Sequence, residues 1–182
     1  MANEAQKIKH LNEHLPYELS MLRHSFGRLC TTKDKRDWCS FLECFCIHAR
    51  ILKEFLNNRA EAGNLEAGDY DEGFRWPLPR ELHGAFQKIG PQVTHLSQGR
   101  PTGATDSKLT FGEVKDIYGW VEPSMCAFIS RLNPRDRGYW NEQEAPSASQ
   151  SSRYDSFVLP FNSTTSTLAG SVFVSSTFDR NK

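Results

Sequence analysis

The sequence has no excess of charge of either sign, because 22 Lys and Arg residues are matched by 22 Asp and Glu residues. Proteins that are drawn to nucleic acid mainly by net charge carry a strongly basic face. The charge balance therefore argues against a dominant electrostatic attraction of that kind. A local basic patch stays compatible with it, because a neutral total does not describe how the charges are distributed.

Long apolar runs are also missing. No stretch approaches the roughly 20 apolar residues of a membrane-spanning helix, and residues 1–18 lack the apolar core of a secretory signal peptide. The five cysteines are odd in number. Cys44 and Cys46, two residues apart in a predicted helix, point in different directions and cannot form a disulfide with each other. Free thiols indicate a reducing compartment, so we expect a cytoplasmic protein that does not enter a membrane.

Enzyme and metal-site signatures are a third absence. The sequence contains no GxSxG, HExxH, Walker A, GxGxxG or CxxC motif. Metal-ligand residue types do cluster in one predicted helix, at Cys39, Cys44, Cys46 and His48. Only Cys44 and His48 share a helix face, whereas a structural zinc site needs four convergent ligands. The sequence therefore predicts neither a metal nor a cofactor, and the thiols are better explained as small buried side chains.

What the sequence does contain is a helical period. Its apolar residues recur at spacings of three and four, as in amphipathic helices, over residues 15–30, 34–58, 82–96 and 114–132. Proline removes a helical hydrogen bond, so we expect a kink or break at Gly90-Pro91 and a kink at Pro123. The pattern predicts an all-α fold, an antiparallel four-helix bundle preceded by a loose turn over residues 1–14. The residues expected to be largely buried are Leu22, Phe26, Phe41, Phe45, Leu52, Phe86, Val93, Val121, Phe128 and Leu132.

Two segments fall outside these helices. Residues 59–78 form a long predicted loop, in which Tyr70, Phe74 and Trp76 are expected to fold back against the bundle, because long loops in compact domains are otherwise uncommon. From residue 134 onward the chain is rich in Ser and Thr and has no helical period. We therefore expect a helical domain over residues 1–133 and a mostly disordered tail over residues 134–182.

Glu18 and His48 are the polar residues in the most unusual places. Glu18 falls within the apolar stripe of the first long helix, and His48 flanks the stripe of the second. A short connection favours antiparallel neighbours that pack directly, so the two side chains are expected to meet. Such a pair could transfer protons or hold a metal. It could equally be a structural hydrogen bond, or Glu18 could simply complement the helix dipole.

Three further residues complete the set of candidate catalytic residues, which is Glu18, Glu43, His48, Arg50 and His95. Glu43 and Arg50 are nearly aligned on the other side of the second helix, seven residues apart, and a surface or interhelix salt bridge would explain both. His95 follows the Gly90-Pro91 break and faces either solvent or a cleft. A catalytic site would require at least three of the five to converge in one cleft.

Several short segments resemble a known group of proteins. They are Leu15-Pro16-Tyr17-Glu18, Met21-Leu22-Arg23, Glu43-Cys44-Phe45, Ile47-His48-Ala49-Arg50 and Thr94-His95-Leu96-Ser97. Over about residues 12–132 the chain resembles small uncharacterised bacterial helical proteins with LPYE-, HAR- and HL(S/T)-type segments. Their shape is similar to the HEPN superfamily, whose antiparallel helical bundles often act as RNases in bacterial defence. HEPN RNases carry an Arg and a His at a short characteristic spacing that this sequence does not contain.

Two functions follow as expectations. The absence of catalytic motifs favours a binding or interaction module, with a protein partner or with itself as a homodimer. The alternative, which the resemblance implies, is a HEPN-like RNase or RNA-binding protein of a bacterial defence or toxin type.

Overall fold

The structure is a computed structural model that describes residues 3–58, 63–93 and 108–140. Its six α-helices are α1 (Glu4–Lys9), α2 (Leu15–Thr31), α3 (Lys35–Leu56), α4 (Arg80–Val93), α5 (Phe111–Arg131) and α6 (Pro134–Arg137). A π-helical turn, His10–His14, joins α1 to α2, and a short 3-10 turn, Ala67–Asp69, lies between α3 and α4. These ranges contain no β-strand. The predicted all-α class is therefore confirmed for the described chain.

The amino-terminal residues form more structure than the sequence predicts. Helix α1 begins after Asn3, whose side chain and that of Gln6 form a reciprocal capping box. The helix then runs on through the π-helical turn into α2, so the predicted loose turn over residues 1–14 is wrong. Pro16 has no N–H and would disturb a regular helix at this point. The wider turn before it, in which the Leu15 N–H bonds to the His10 carbonyl, provides a physical reason for its tolerance.

Helices α2 and α3 form a closely packed antiparallel pair. Residues 32–34 connect them, and the Asp34 side chain caps α3 by accepting hydrogen bonds from the backbone N–H groups of Arg36 (2.8 Å) and Asp37 (3.0 Å). The His24 ring lies 6.0 Å from the Phe41 ring near this connection, and farther from it the Tyr17 ring of α2 lies 5.7 Å from the His48 ring of α3. The short link and the cap thus fix the direction in which α3 returns along α2.

Helices α4 and α5 both continue through a proline. Helix α4 extends to Val93, so the expected disruption at Gly90-Pro91 does not end the helix there. Pro123 lies inside α5, where buried neighbours on both sides, including Val121 and Met125, hold the helix against the core. A salt bridge between Lys88 and Glu113 (2.6 Å) ties α4 to α5. At Pro123, burial of apolar side chains therefore outweighs one missing backbone hydrogen bond.

The core lies where α3 contacts α2, α4 and α5. Most of the predicted core residues are buried, as their periodicity indicated: Leu22, Phe26, Phe45, Leu52, Phe86, Val121, Phe128 and Leu132. Phe41 is half-buried, and the side chain of Val93 lies outside the described part of the structure. An ion pair also joins α2 to α5, because the Arg23 guanidinium lies 2.8 Å from the Glu122 carboxylate.

The segment between α3 and α4 folds back onto the bundle as expected for two of its three aromatic residues. Phe74 is buried, and Tyr70 packs against the rings of Phe55 and Phe128. Trp76 remains 36% exposed. The packed body also extends past the predicted boundary at residue 133, because α6 follows and the Trp140 side chain is buried. The predicted disordered tail beyond Trp140 lies outside the described residues.

Candidate functional site

Glu18 and His48 are in direct contact. The Nδ1 atom of His48 lies 2.6 Å from Oε2 of Glu18, which confirms the contact that the sequence predicts. Antiparallel packing explains the meeting, since Glu18 is in the first turn of α2 and His48 is past the middle of α3. His48 is buried, whereas Glu18 is partly exposed. The rings of Tyr17 and His48 meet edge-on, with their centroids 5.7 Å apart.

A cleft of about 410 Å³ opens beside this pair. We call it the histidine cleft. Its wall contains two histidines, two carboxylates and one exposed aliphatic side chain, namely His10, His14, Glu18, Glu54 and Ile51. Glu18 therefore lines open space and is held from behind by a buried imidazole. This arrangement places one oriented carboxylate at a cleft, the geometry that a general base requires.

His10 and His14 are site residues that the sequence reasoning missed. Their ring centroids lie 5.9 Å apart, and the Nδ1 atom of His10 lies 3.0 Å from the Tyr70 hydroxyl oxygen. Burial, together with the neighbouring His14, lowers the pKa of His10 to about 4. His10 is therefore neutral at physiological pH. His10, His14 and Glu18 are spaced four residues apart, which in a helix places side chains on one face. If these residues had been predicted as helix, their spacing would have indicated that the three side chains lie together.

The remaining predicted site residues do not join this pair. Arg50 is exposed, and its Nε–H donates to Glu54 of the same helix over 2.8 Å. Glu43 is exposed on α3 and does not line the histidine cleft. His95 lies outside the described residues. Of the four candidates within the described residues, only Glu18 lines this cleft, so those four do not converge there.

Helices α2 and α3, which carry the Glu18–His48 pair, also expose large apolar side chains. Tyr17 (55% exposed), Ile47 (43%) and Ile51 (40%) are large apolar side chains on the outer faces of α2 and α3. Tyr17 is close to the pair, because it precedes Glu18 and its ring contacts the His48 ring, and Ile47 and Ile51 lie four residues apart on one exposed face of α3. We call these three residues the α2–α3 patch. Clustered exposed apolar side chains of this kind are typical of interaction surfaces.

Two kinds of feature are absent from the described residues. Among residues 3–58, 63–93 and 108–140, no group of three His, Cys, Asp or Glu side chains could hold a metal ion. None of the helices in the same ranges is long and apolar enough to cross a bilayer. The five cysteines, all in these ranges, are free thiols, as predicted.

Comparisons with protein-family models, with curated proteins and with solved structures find no match to this chain.

Proposed function

We propose that this protein is an interaction module that binds a second copy of itself through the α2–α3 patch. The observation that carries this proposal is the exposure of three large apolar side chains on the antiparallel helices α2 and α3, because Tyr17, Ile47 and Ile51 are each at least 40% exposed. Removing such a patch from water favours association. Helices commonly dock through a face that carries apolar residues at positions i and i+4.

The charges that flank Ile47 support a second copy as the partner. Glu43 precedes Ile47 by four residues and Arg50 follows it by three, so along the axis of α3 they lie about 6 Å and about 4.5 Å on opposite sides of it. When two copies of α3 cross antiparallel at Ile47, Glu43 lies opposite the partner's Arg50, and Arg50 lies opposite the partner's Glu43. A two-fold interface must be self-complementary in this way. Arg50 has several N–H donors, so its bond to Glu54 is compatible with a second carboxylate.

The finer fold and the setting belong to the same proposal. We place α2, α3, α4 and α5 in an antiparallel, HEPN-like four-helix bundle, which is supported by the contacts of α3 with α2, α4 and α5 and of α4 with α5. We also place the protein in the cytoplasm of a bacterium. Its five free cysteines support the cytoplasmic location, because thiols stay reduced in that compartment.

Molar mass in solution tests the dimer. Light scattering after size exclusion, over a range of concentrations, is expected to give twice the mass of one chain. Ile47→Glu places two carboxylates at the symmetry axis and is expected to yield a monomer. Phe111→Glu is the matched control, because Phe111 is 37% exposed outside the patch, and this variant should remain a dimer. A wild-type protein that is monomeric at every concentration refutes the proposal.

Charge reversal tests the antiparallel register. Glu43→Arg and Arg50→Glu are each expected to weaken the dimer, because each places like charges opposite one another. The double variant restores opposite charges and is expected to recover most of the association. A double variant that is no better than either single variant contradicts the register.

A second candidate function is an RNase that uses the histidine cleft, and it is favoured by the oriented carboxylate of Glu18 beside two imidazoles. In this scheme Glu18 removes the proton from a ribose 2′-hydroxyl, and that oxygen attacks the adjacent phosphorus. The bond from phosphorus to the 5′-oxygen breaks, and His14 protonates the leaving oxygen. The products are a 2′,3′-cyclic phosphate and a 5′-hydroxyl end.

Incubation with total RNA tests this second candidate. The wild-type protein is expected to cleave RNA, while Glu18→Gln, His14→Ala and His48→Ala lose at least ten-fold in rate, since acid–base residues typically contribute more than that. Glu43→Gln is the control, because it removes an exposed carboxylate outside the cleft. RNA that stays intact with the wild-type protein eliminates the RNase and leaves the dimer proposal unaffected.

A further inference from the structure

A second cleft, of about 650 Å³, lies between the end of α3, the segment before α4, and α4 itself. Its titratable lining residues are Lys53, Arg75 and His83, and no Asp or Glu lines it. We call it the basic cleft. In a chain with no net charge, such a local excess of positive charge is a specific feature of this surface.

The basic cleft also presents a flat aromatic surface. Trp76 lines the cleft, is 36% exposed, and lies nearly parallel to Phe74, with an angle of 12° and ring centroids 6.2 Å apart. Phe74 is buried and meets the Phe128 ring edge-on at 5.5 Å. The exposed indole thus lies nearly parallel to a core ring, Phe74, which is itself packed against Phe128.

The cations of the cleft are held in place by groups other than carboxylates. The Nη1 of Arg75 donates to the backbone carbonyls of Glu72 (3.0 Å) and Phe74 (2.7 Å), which orients the guanidinium. The ammonium of Lys53 lies over the Phe86 ring at 5.4 Å. Within the described ranges, neither Lys53 nor Arg75 forms a salt bridge with a carboxylate. Arg75 lies near enough to Asp71 to contribute to the lowered pKa of that carboxyl, and the remaining N–H groups of Arg75 and the Lys53 ammonium can still donate to an anion.

Asn58 holds the cleft in shape. Its backbone is in the left-handed region (φ 52°), where α3 ends and the chain turns. Its side-chain oxygen accepts from the Gly68 N–H (2.7 Å), and its amide nitrogen donates to the Phe74 carbonyl (3.4 Å). The segment that carries Arg75 and Trp76 is therefore tied to the end of the helix that carries Lys53.

We propose that the basic cleft binds a nucleotide, with the base stacked on Trp76 and the phosphate held by Arg75 and Lys53. A flat aromatic platform beside two cations matches a ligand that combines a planar ring with an anion. The side-chain amides of Asn57 and Gln87, which also line the cleft, offer hydrogen bonds to a base edge. An inorganic anion would leave Trp76 without a role, and an acidic peptide without an aromatic ring would do the same. The ligand is either a free mononucleotide or one nucleotide of single-stranded RNA.

This site goes beyond the proposed function and is independent of it. None of the α2–α3 patch residues lines the basic cleft. If the dimer proposal fails, the nucleotide proposal is therefore unaffected, and if the nucleotide proposal fails, the dimer proposal is unaffected.

Calorimetric titration of the full chain tests the proposal. The probes are AMP, adenosine, inorganic phosphate and an oligoadenylate of about eight nucleotides, within the site sizes known for single-strand binders. AMP is expected to bind with a Kd below about 1 mM and at least ten-fold more tightly than adenosine or phosphate. The oligoadenylate distinguishes the two sources. Tighter binding than AMP, weakened between about 50 and about 200 mM salt, indicates single-stranded RNA, whereas affinity equal to that of AMP indicates the free nucleotide.

Matched variants locate the site. Trp76→Ala is expected to weaken AMP binding about 5- to 150-fold, the range for loss of one base–aromatic stack. Lys53→Gln is expected to weaken it through loss of a phosphate contact. The controls are Phe111→Ala and Lys115→Gln, because Lys115 lies over the exposed Phe111 ring at 5.8 Å, outside the cleft, and their affinities should equal that of the wild type. Circular dichroism verifies that each variant is folded. Absence of AMP binding, adenosine or phosphate binding as tightly as AMP, or equal losses in variants and controls each overturns the proposal.

Discussion

The ion pair between Arg23 and Glu122 allows a sharp test of how the helices are held together. Its side chains are only 11% and 15% exposed, and the charged atoms lie 2.8 Å apart. The replacement Arg23→Met keeps much of the volume but leaves the Glu122 carboxylate buried without its guanidinium. Breaking a buried pair on one side costs about 3–5 kcal/mol. Domains of this size are stable by about 5–15 kcal/mol, so the free energy of unfolding should fall by a large fraction.

Removing both charges should give a different result. The double variant Arg23→Met/Glu122→Leu leaves no uncompensated charge, and replacing a buried ion pair by apolar side chains is often neutral or stabilising by about 1–4 kcal/mol. We therefore expect the double variant to be more stable than either single variant. The difference between the double variant and the sum of the single variants measures the coupling within the pair.

Urea unfolding followed by circular dichroism provides the measurement, with the free energy obtained by linear extrapolation and with unchanged m-values as the check on two-state behaviour. Lys9→Met is the control, because the Lys9–Glu13 pair is exposed (60% and 58%) and should contribute at most about 1 kcal/mol. If Arg23→Met costs no more than Lys9→Met, or if the double variant is as unstable as the sum of both losses, the buried pair does not behave as its geometry indicates.

Three further predictions concern single residues. Phe45→Ala should cost about 3–5 kcal/mol in chemical denaturation, because Phe45 is fully buried, and a loss under about 1 kcal/mol would contradict its place in the core. Burial and His14 lower the pKa of His10 to about 4, so the folded protein resists protonation of this imidazole. The contribution of His10 to stability should therefore be complete above about pH 6.5 and should fall towards about pH 4. An NMR titration that placed the His10 midpoint near about 6.5 would refute this. Burial and Glu122 raise the pKa of Cys126 to about 11, so its alkylation near about pH 8 should be slow in the folded protein and fast in urea, as mass spectrometry of the modified thiol will measure.

The part of the fold that the sequence predicts well rests on dense apolar periodicity. Helices α2 and α3 begin and end within two residues of the predicted segments, because each has an unbroken apolar stripe and α3 has an Asp at its amino-terminal cap. The Glu18–His48 contact followed from helical rotation and a short connection alone. Both are local arguments, and neither needs knowledge of distant contacts.

The rest of the site depends on contacts between distant parts of the chain. His10 is brought to the cleft partly by Tyr70, sixty residues later, and the apolar stripe beside it is brief, since only Ile8 and Leu11 stand among the polar residues directly before Leu15. The basic cleft joins Lys53, Trp76 and His83, which lie in three separate segments. A local pattern does not show where such segments meet, because their meeting depends on how the loop before α4 packs against the core.

The π-helical turn between α1 and α2 sets the rotation of everything that precedes it. One residue of helix corresponds to about 100° of rotation, and a π-helical turn holds one residue more than an α-helical turn. Deleting Asn12, whose side chain is exposed, would convert the turn to a regular one and swing α1 by about that angle. The bond from the Lys7 ammonium to the Asp69 carbonyl and the ion pair of Glu4 with Arg135 both depend on the present orientation of α1. A single inserted residue therefore aligns the amino-terminal helix with two segments that the chain reaches only much later.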